Sequence, residues 1–241
     1  MTQSVRTSAN WDHLDLAALN QQLEQAHPRD ILAWASETVP TGLVQSSAFN
    51  ADDMAITHML YRELQRPVPV LFLDTLHHFE ETLSFVERTR EAYGLDLRTY
   101  KNLHANSRAE FAQQYGEALW ESDVSRFHEL TKVEPLQRGL SELGTLAWIT
   151  GRRRDQAPTR ANMPVLELDD RERLKINPLA RWTSQDSWTY VMNNDVLYNP
   201  LHDRGYLSIG DEPLTTPVNP GESERAGRWR GLGKTECGIH L

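Results

Sequence analysis

The chain has 241 residues, 39% of them hydrophobic and 8% aromatic, with a formal net charge of −9. That size and composition suit one large domain, or one domain with appended arms, around an ordinary core. No run approaches the roughly 18 apolar residues of a membrane span, the acidic balance disfavours general nucleic-acid binding, and a single cysteine excludes an intramolecular disulfide.

Residues 1–40 read as a helical segment. Leu14, Leu16, Leu19 and Leu23 recur at roughly helical spacing, and Pro28 begins a second helix carrying Ile31, Leu32 and Ala35. Residues 1–11 hold no apolar run of signal-peptide type. With the lone cysteine, this gives the expectation of a reducing cytoplasm. Residues 42–46 read as a short buried strand, followed by the small-residue turn Ser47-Ala48-Phe49-Asn50 and a helix from 51 to about 64. Asn50 is the expected N-cap, and Asp52 and Asp53 suit the positive end of the helix dipole. Met54, Ile56, Met59, Leu60 and Leu64 supply its apolar side.

A second apolar strand, 68–73, ends at Asp74-Thr75. A helix over about 79–93 follows and is closed by Gly94. A third strand is expected at 95–100, helices at about 107–116 and 133–143, and a strand at 144–149 that runs into Arg152-Arg153-Arg154. Strand–helix alternation with continuous apolar strands predicts an α/β fold, Rossmann-like, with a mostly parallel sheet and helices on both faces. Beyond Pro178, Ser184 caps a helix through 194, and proline- and glycine-rich loops lead into a tail. The expected division is an N-terminal helical segment at 1–40, a nucleotide-binding α/β domain at 41–215 and a tail at 216–241.

Ligands of open α/β sheets gather at the carboxyl ends of the strands. Three motifs fall there: Ser46-Ser47-Ala48-Phe49-Asn50, Asp74-Thr75 and Gly151-Arg152-Arg153-Arg154. A turn of small residues before a helix offers backbone N–H groups and hydroxyls to an anion, although serine-rich turns of this kind are common. Asp74 serves a ribose or base edge, or caps the next helix. The arginines, Arg160 included, are permanently charged bidentate partners for phosphate or sulfate. Two basic segments, 152–160 and 225–234, suit a small, highly charged anion better than a polymer; the alternative is a solvated loop. Neither a Walker A pattern nor Gly-x-Gly-x-x-Gly is present. His77-His78 and Glu80-Glu81 lack a third partner at helical spacing, so they read as a solvated helix start and no metal site is expected.

Cys237 lies in Glu236-Cys237-Gly238-Ile239-His240-Leu241. It is either an inert residue or a reactive thiol on a movable arm. Gly233 and Gly238 loosen the segment, and Arg225, Arg228, Arg230, Lys234 and His240 surround it with positive charge. A cationic setting stabilises thiolate, which favours the reactive reading.

These residues resemble the assimilatory PAPS/APS reductases (phosphoadenylyl-sulfate or adenylyl-sulfate reductases). Glu236-Cys237-Gly238-Ile239-His240 is similar to their Glu-Cys-Gly-Leu-His signature, and Ser46-Ser47-Ala48-Phe49 to their Ser-Ser-Ser-Phe-Gly turn. Leu73-Asp74-Thr75 with Phe79-Glu80-Glu81-Thr82, Lys132-Val133-Glu134-Pro135-Leu136, Gly151-Arg152-Arg153-Arg154-Asp155-Gln156 with Arg160, Asn177-Pro178-Leu179 and Gly205-Tyr206-Leu207-Ser208-Ile209-Gly210 also fit in order, so the resemblance covers residues from about 40 to 241. It implies an adenine-nucleotide alpha-hydrolase-like fold. Cys237 and His240 are then catalytic, and Ser46, Ser47, Phe49, Asp74, Thr75, Lys132, Arg152, Arg153, Arg160, Arg225 and Arg228 bind substrate.

The departures are as informative. Ala48 and Asn50 replace the family's third serine and its glycine. Iron–sulfur members carry cysteine pairs where this chain has Phe127 and His128, and Asp211 and Leu214, so no iron–sulfur cofactor is expected. Cluster-free members are typically PAPS-specific. The resemblance therefore implies PAPS reduction through a Cys237 S-sulfonate, with thioredoxin, or glutaredoxin in its place, as external reductant, and a homodimer. A cluster-free APS reductase is the alternative. An ATP-pyrophosphatase-type adenylyl transferase is a second, although its Ser-Gly-Gly-x-Asp-Ser loop is missing here, and a non-catalytic nucleotide-binding module is a third.

Overall fold

The computed structural model describes residues 11–234, 236, 238 and 239; Cys237 and His240, both assigned to catalysis from the sequence, lie outside the described residues. Helix α1 (Leu16–Leu23) is capped by Asp15, which accepts from the Ala18 N–H at 3.0 Å. Helix α2 (Pro28–Thr38) begins at Pro28 as expected and turns Ile31, Leu32 and Ala35 fully inward. Strand β1 (Leu43–Ser46) leads to α3 (Ala51–His58), which widens into a π turn at Met59–Glu63, and the two together span the single helix expected there. Then come β2 (Val70–Asp74), α4 (Glu80–Tyr93) with Gly94 at φ 65° closing it, and β3 (Leu97–Lys101).

The middle of the chain is more helical than its sequence indicated. Helices α5 (Arg108–Tyr115), α6 (Leu119–Ser122) and α7 (Val124–His128) are followed by a π turn at Glu129–Val133 and by α8 (Glu134–Glu142). Strand β4 (Ala147–Ile149) precedes β5 (Leu166–Leu168) and β6 (Leu174–Ile176), neither of them anticipated, and α9 (Ser184–Asn193). The cap of α9 is Thr183 and not Ser184: Thr183 Oγ1 accepts from the Asp186 N–H, and the Asp186 carboxylate accepts from the Thr183 N–H at 2.8 Å. Such reciprocal bonding satisfies two otherwise orphaned donors.

The sheet runs β3-β2-β1-β4-β6-β5, parallel except for β5. From β1 the chain winds outward through β2 to β3, then returns to place β4 on the other side of β1. A topological switch therefore lies between β1 and β4, where open sheets leave a crevice. Alternation along the strands feeds both faces. Val44, Leu71 and Trp148 pack with Leu136 and Leu140 of α8 on one face. On the other, Leu43, Ala147, Ile149, Leu174 and Ile176 pack with α2 and α3, so the N-terminal helices share their core with the sheet. No helix of the described residues is long and apolar enough to cross a membrane.

After β6 and α9 the chain folds back as loops. The Trp229 N–H donates to Leu214 O at 3.0 Å and the Thr216 N–H to Gly227 O at 2.9 Å, while the Trp229 ring is buried beside Phe111, Phe127 and Leu214. A side chain at Gly227 would place its Cβ 2.0 Å from the Thr216 carbonyl oxygen, a backbone atom that cannot swing aside. Gly227→Ala is expected to detach this loop, read as faster tryptic cleavage at Arg225 and Arg228 with an unchanged far-ultraviolet circular dichroism spectrum.

Candidate active site at the carboxyl edge of the sheet

A cleft opens at the carboxyl ends of β1, β2 and β4. It is lined by Ser46, Ser47, Thr75, Lys132, Arg152, Arg153, Arg160, Arg225 and Arg228, among others. Nine of the residues assigned to substrate from the sequence thus converge there. The other two do not: Phe49 and Asp74 are absent from the lining. Phe49 is completely buried, edge-on to Phe72 at 5.6 Å, with its backbone at φ 57°. Asp74 closes its own turn, accepting from the Leu76 N–H at 2.9 Å.

In the turn after β1 three backbone N–H groups already have partners within the chain. The Ser47 N–H donates to Leu71 O at 2.9 Å, the Ala48 N–H to Asp53 Oδ2 at 2.8 Å and the Phe49 N–H to Ser47 Oγ at 3.0 Å. The Asp53 carboxyl group thus takes up the Ala48 N–H. Burial, opposed by the Ala48 N–H and reinforced by the charge of Asp52, pushes the Asp53 carboxyl up to about 7. Gly151 is required beside it, since a Cβ there would lie 2.3 Å from Asp53 Oδ1. Asn50 occupies the N-cap position of α3 without capping it. Its side-chain amide instead pairs with both backbone groups of Ile209, tying this turn to the 205–210 loop.

The arginine cluster is held in internal pairs. Arg153, 1% exposed, donates from Nε to Asp52 at 2.8 Å, from Nη2 to Glu224 at 2.7 Å, and from Nη1 to Asp155. Arg152 pairs with Glu167 and with Asn177 Oδ1. Arg160 grips Glu236 with two bonds, 2.7 Å from Nε and 2.6 Å from Nη2. Sequence reasoning saw these cations but not their partners, which lie up to 101 residues away.

Lys132 is buried and donates to Asp211 at 2.5 Å. Burial works against the Asp211 charge, but Lys132 in concert with His78 and Arg228 outweighs it and holds the carboxyl well below the usual carboxylate range. His77 and His78 are not the solvated helix start expected of them. His77 sits among Phe111, Trp120 and Phe127 at about 5 Å, and His78 lines the cleft, stacked on Phe72, donating from Nε2 to Leu73 O. Arg228 bonds Ile209 O at 3.1 Å, and its guanidinium lies 4.5 Å from the Trp229 ring centre.

Phe127, His128, Asp211 and Leu214 are brought together. Phe127 and Leu214 share a core with Trp229, His128 Nε2 lies 3.9 Å from Asp211 Oδ2, and the Trp229 indole donates to His128 at 3.3 Å. Burial, with the charge of Lys132 beside it, lowers His128 to about 3, so its imidazole is neutral. Four positions filled by a phenylalanine, a leucine, a neutral imidazole and a lysine-paired carboxylate do not fit an iron–sulfur cluster. Among the described residues, no group of three or more His, Cys, Asp or Glu is arranged to hold a metal ion.

Residues 42–217 match the family model described as "Phosphoadenosine phosphosulfate reductase domain". The chain is 45% identical to the "Probable phosphoadenosine phosphosulfate reductase" of Schizosaccharomyces pombe, over 95% of this chain and 85% of the relative. It is 39% identical to an "Adenosine 5'-phosphosulfate reductase" of Halalkalibacterium halodurans over 100% of both chains. Among solved structures, the phosphoadenylyl-sulfate (PAPS) reductase of Candida auris in its phosphate complex superposes with a TM-score of 0.78 at 38% identity, covering 88% of this chain and 100% of that one.

Two outcomes follow from the buried charges. Arg153→Ala strands Asp52 and Glu224 without their cation and is expected to cost about 3–5 kcal/mol in chemical denaturation. The exposed Arg230–Glu222 pair is the control, with no measurable loss expected. For Asp53, the folded carboxyl keeps its proton to about pH 7, while the unfolded one loses it near pH 4. Its contribution to stability is complete below about pH 4 and declines as pH rises to about 7. Asp53→Asn should therefore gain on the wild type across that window by a few kcal/mol, measured by urea denaturation at pH 5, 6 and 8.

Proposed function

The chain belongs to the phosphoadenosine phosphosulfate reductase domain family, and from that premise we propose that it reduces 3′-phosphoadenylyl sulfate (PAPS) to sulfite and adenosine 3′,5′-bisphosphate through a covalent sulfonate on Cys237. The observation that carries this reading is the location of the described neighbours of Cys237. Glu236 is paired with the cleft arginine Arg160, and Ile239 belongs to the lining of the same cleft.

In the first half-reaction the Cys237 thiolate attacks the sulfonyl sulfur. A sulfur–sulfur bond forms as the bond from sulfur to the 5′-phosphate oxygen breaks, and the electron pair leaves on that oxygen. A phosphate-type leaving group needs no general acid of unusual pKa. Lys132, Arg225 and Arg228 neutralise charge on the sulfonate and leaving phosphate, with Ser46, Ser47 and Thr75 as hydroxyl partners, and the resemblance gives His240 a catalytic role. Arg152 and Arg153 contribute positive potential from within their ion pairs.

The second half-reaction needs two thiols from outside, because Cys237 is the chain's one cysteine. A thioredoxin-type dithiol, or a glutaredoxin in its place, attacks Cys237 Sγ, and sulfite departs with the electron pair. The partner's second thiol then displaces Cys237, leaving the partner as a disulfide and Cys237 as a thiol. No bound cofactor takes part. A homodimer, which the resemblance implies, and a cytoplasmic location, which a single cysteine suits, complete the reading.

Adenylyl transfer is disfavoured, since the N–H groups of Ser47, Ala48 and Phe49 are already engaged. The APS alternative keeps the same chemistry on a substrate without the 3′-phosphate, and the Halalkalibacterium relative bears that name. The filled positions Phe127, His128, Asp211 and Leu214 favour PAPS. Incubation with PAPS in the absence of reductant is expected to add one sulfonate to the intact mass, with none on Cys237→Ser; sulfite release without this adduct would refute the mechanism. kcat/KM should favour PAPS over APS by at least ~100-fold at low salt, the scale of about two charge-assisted hydrogen bonds. Equal values would identify a cluster-free APS reductase.

A further inference from the structure

The mechanism above leaves Glu236 without a role, yet its carboxylate is heavily engaged. Arg160 reaches it with Nε at 2.7 Å and Nη2 at 2.6 Å, Thr159 Oγ1 lies at 3.2 Å and Arg225 Nη2 at 3.4 Å. The remaining Arg160 nitrogen, Nη1, donates to Gln156. A buried guanidinium with every nitrogen already bonded is poorly placed to receive a phosphate. On the far side of Cys237 in the chain, Ile239 packs on a different wall, the apolar cluster of Val44, Leu71, Leu136, Leu140 and Trp148. The tail is thus held at two points, one ionic and one apolar, with the proposed nucleophile between them in sequence.

We propose that Glu236 is a positioning residue: its bidentate pair with Arg160, backed by Arg225, fixes the tail at the cleft for attack on the sulfonyl group, and Arg160 serves the tail and not the substrate's phosphates. Bidentate Arg–carboxylate pairs fix direction as well as distance. A nucleophile misplaced by about 1 Å can lose up to about a hundredfold in rate. Arg160 therefore acts on the reaction through Glu236, and its loss should leave nucleotide affinity intact.

The inference rests on the sulfonate mechanism, and its test separates the two half-reactions. Glu236→Gln is expected to slow adduct formation from PAPS by about tenfold, read by intact mass, with Glu236→Asp between it and the wild type. Sulfite release from preloaded adduct by excess thioredoxin should keep the wild-type rate, and the thermal midpoint should not change. Arg160→Lys should slow adduct formation similarly while binding adenosine 3′,5′-bisphosphate with wild-type affinity in calorimetry. In ligand-free protein, Glu236→Gln should also speed tryptic cleavage at Arg230 and Lys234 several-fold. Wild-type adduct formation by Glu236→Gln would overturn the proposal. So would nucleotide binding by Arg160→Lys weakened as much as its adduct formation, or equal slowing of both half-reactions with a lowered thermal midpoint. If the wild-type protein itself forms no adduct, the sulfonate mechanism fails, and the tryptic rates alone decide whether Glu236 holds the tail.

Discussion

The Arg153 guanidinium, almost wholly removed from water, ties together parts of the chain that no backbone ladder connects. Its three nitrogens reach Asp52 in the first turn of α3, Asp155 in its own loop and Glu224 in the returning C-terminal segment. Asp52 in turn accepts from Ser187 on α9 at 2.5 Å and from Gln156 at 2.9 Å. A buried cation survives only if anions compensate its lost hydration, and each of those anions needs further donors. The walls of the cleft are therefore interdependent. The carboxyl end of β4 cannot be arranged without α3, α9 and the tail taking their places.

That dependence changes what the basic character of the cleft means. Read along the chain, Arg152, Arg153 and Arg160 look like a reserve of positive charge for a nucleotide. In three dimensions Glu167, Asp52, Asp155, Glu224 and Glu236 meet them, and the cleft is a lattice of opposed charges. Such a lattice gives rigid geometry more than net attraction. Asp53 likewise meets a partner from within the fold, accepting the Ala48 N–H.

The region of Phe127, His128, Asp211 and Leu214 shows a parallel substitution. Apolar side chains and the Trp229 ring fill most of the space, and the polar atoms form two separate pairs, Lys132 donating to Asp211 and the Trp229 indole donating to His128. The Trp229 ring also carries Arg225 and Arg228 on its surface, at 5.3 and 4.5 Å. The packing that anchors the returning segment therefore also orients the cations it brings to the cleft.

The elements that were legible in the sequence are those encoded by near neighbours. Helix α2 with Pro28 at its start, α4 ending at Gly94, and the apolar strands β1 and β2 follow from periodicity and capping chemistry within a few residues. The lone Cys237 and the ordered motifs were equally plain, because residue identity needs no partner to be read. Strands β5 and β6 were not legible, being three residues each and carrying charged residues: Lys175 is buried, with the half-buried Glu167 opposite it, and Glu167 also pairs with Arg152. Phe49 looked like part of a binding turn, but its ring is completely buried edge-on to Phe72 and Phe85, residues distant in sequence, with its backbone at positive φ. Above all, the sequence by itself determined which charges exist, while tertiary structure decided which of them pair and which line the cleft. Coulombic pairing depends on distance in space, and Arg153 meets Asp52 and Glu224 only after the chain between them has folded.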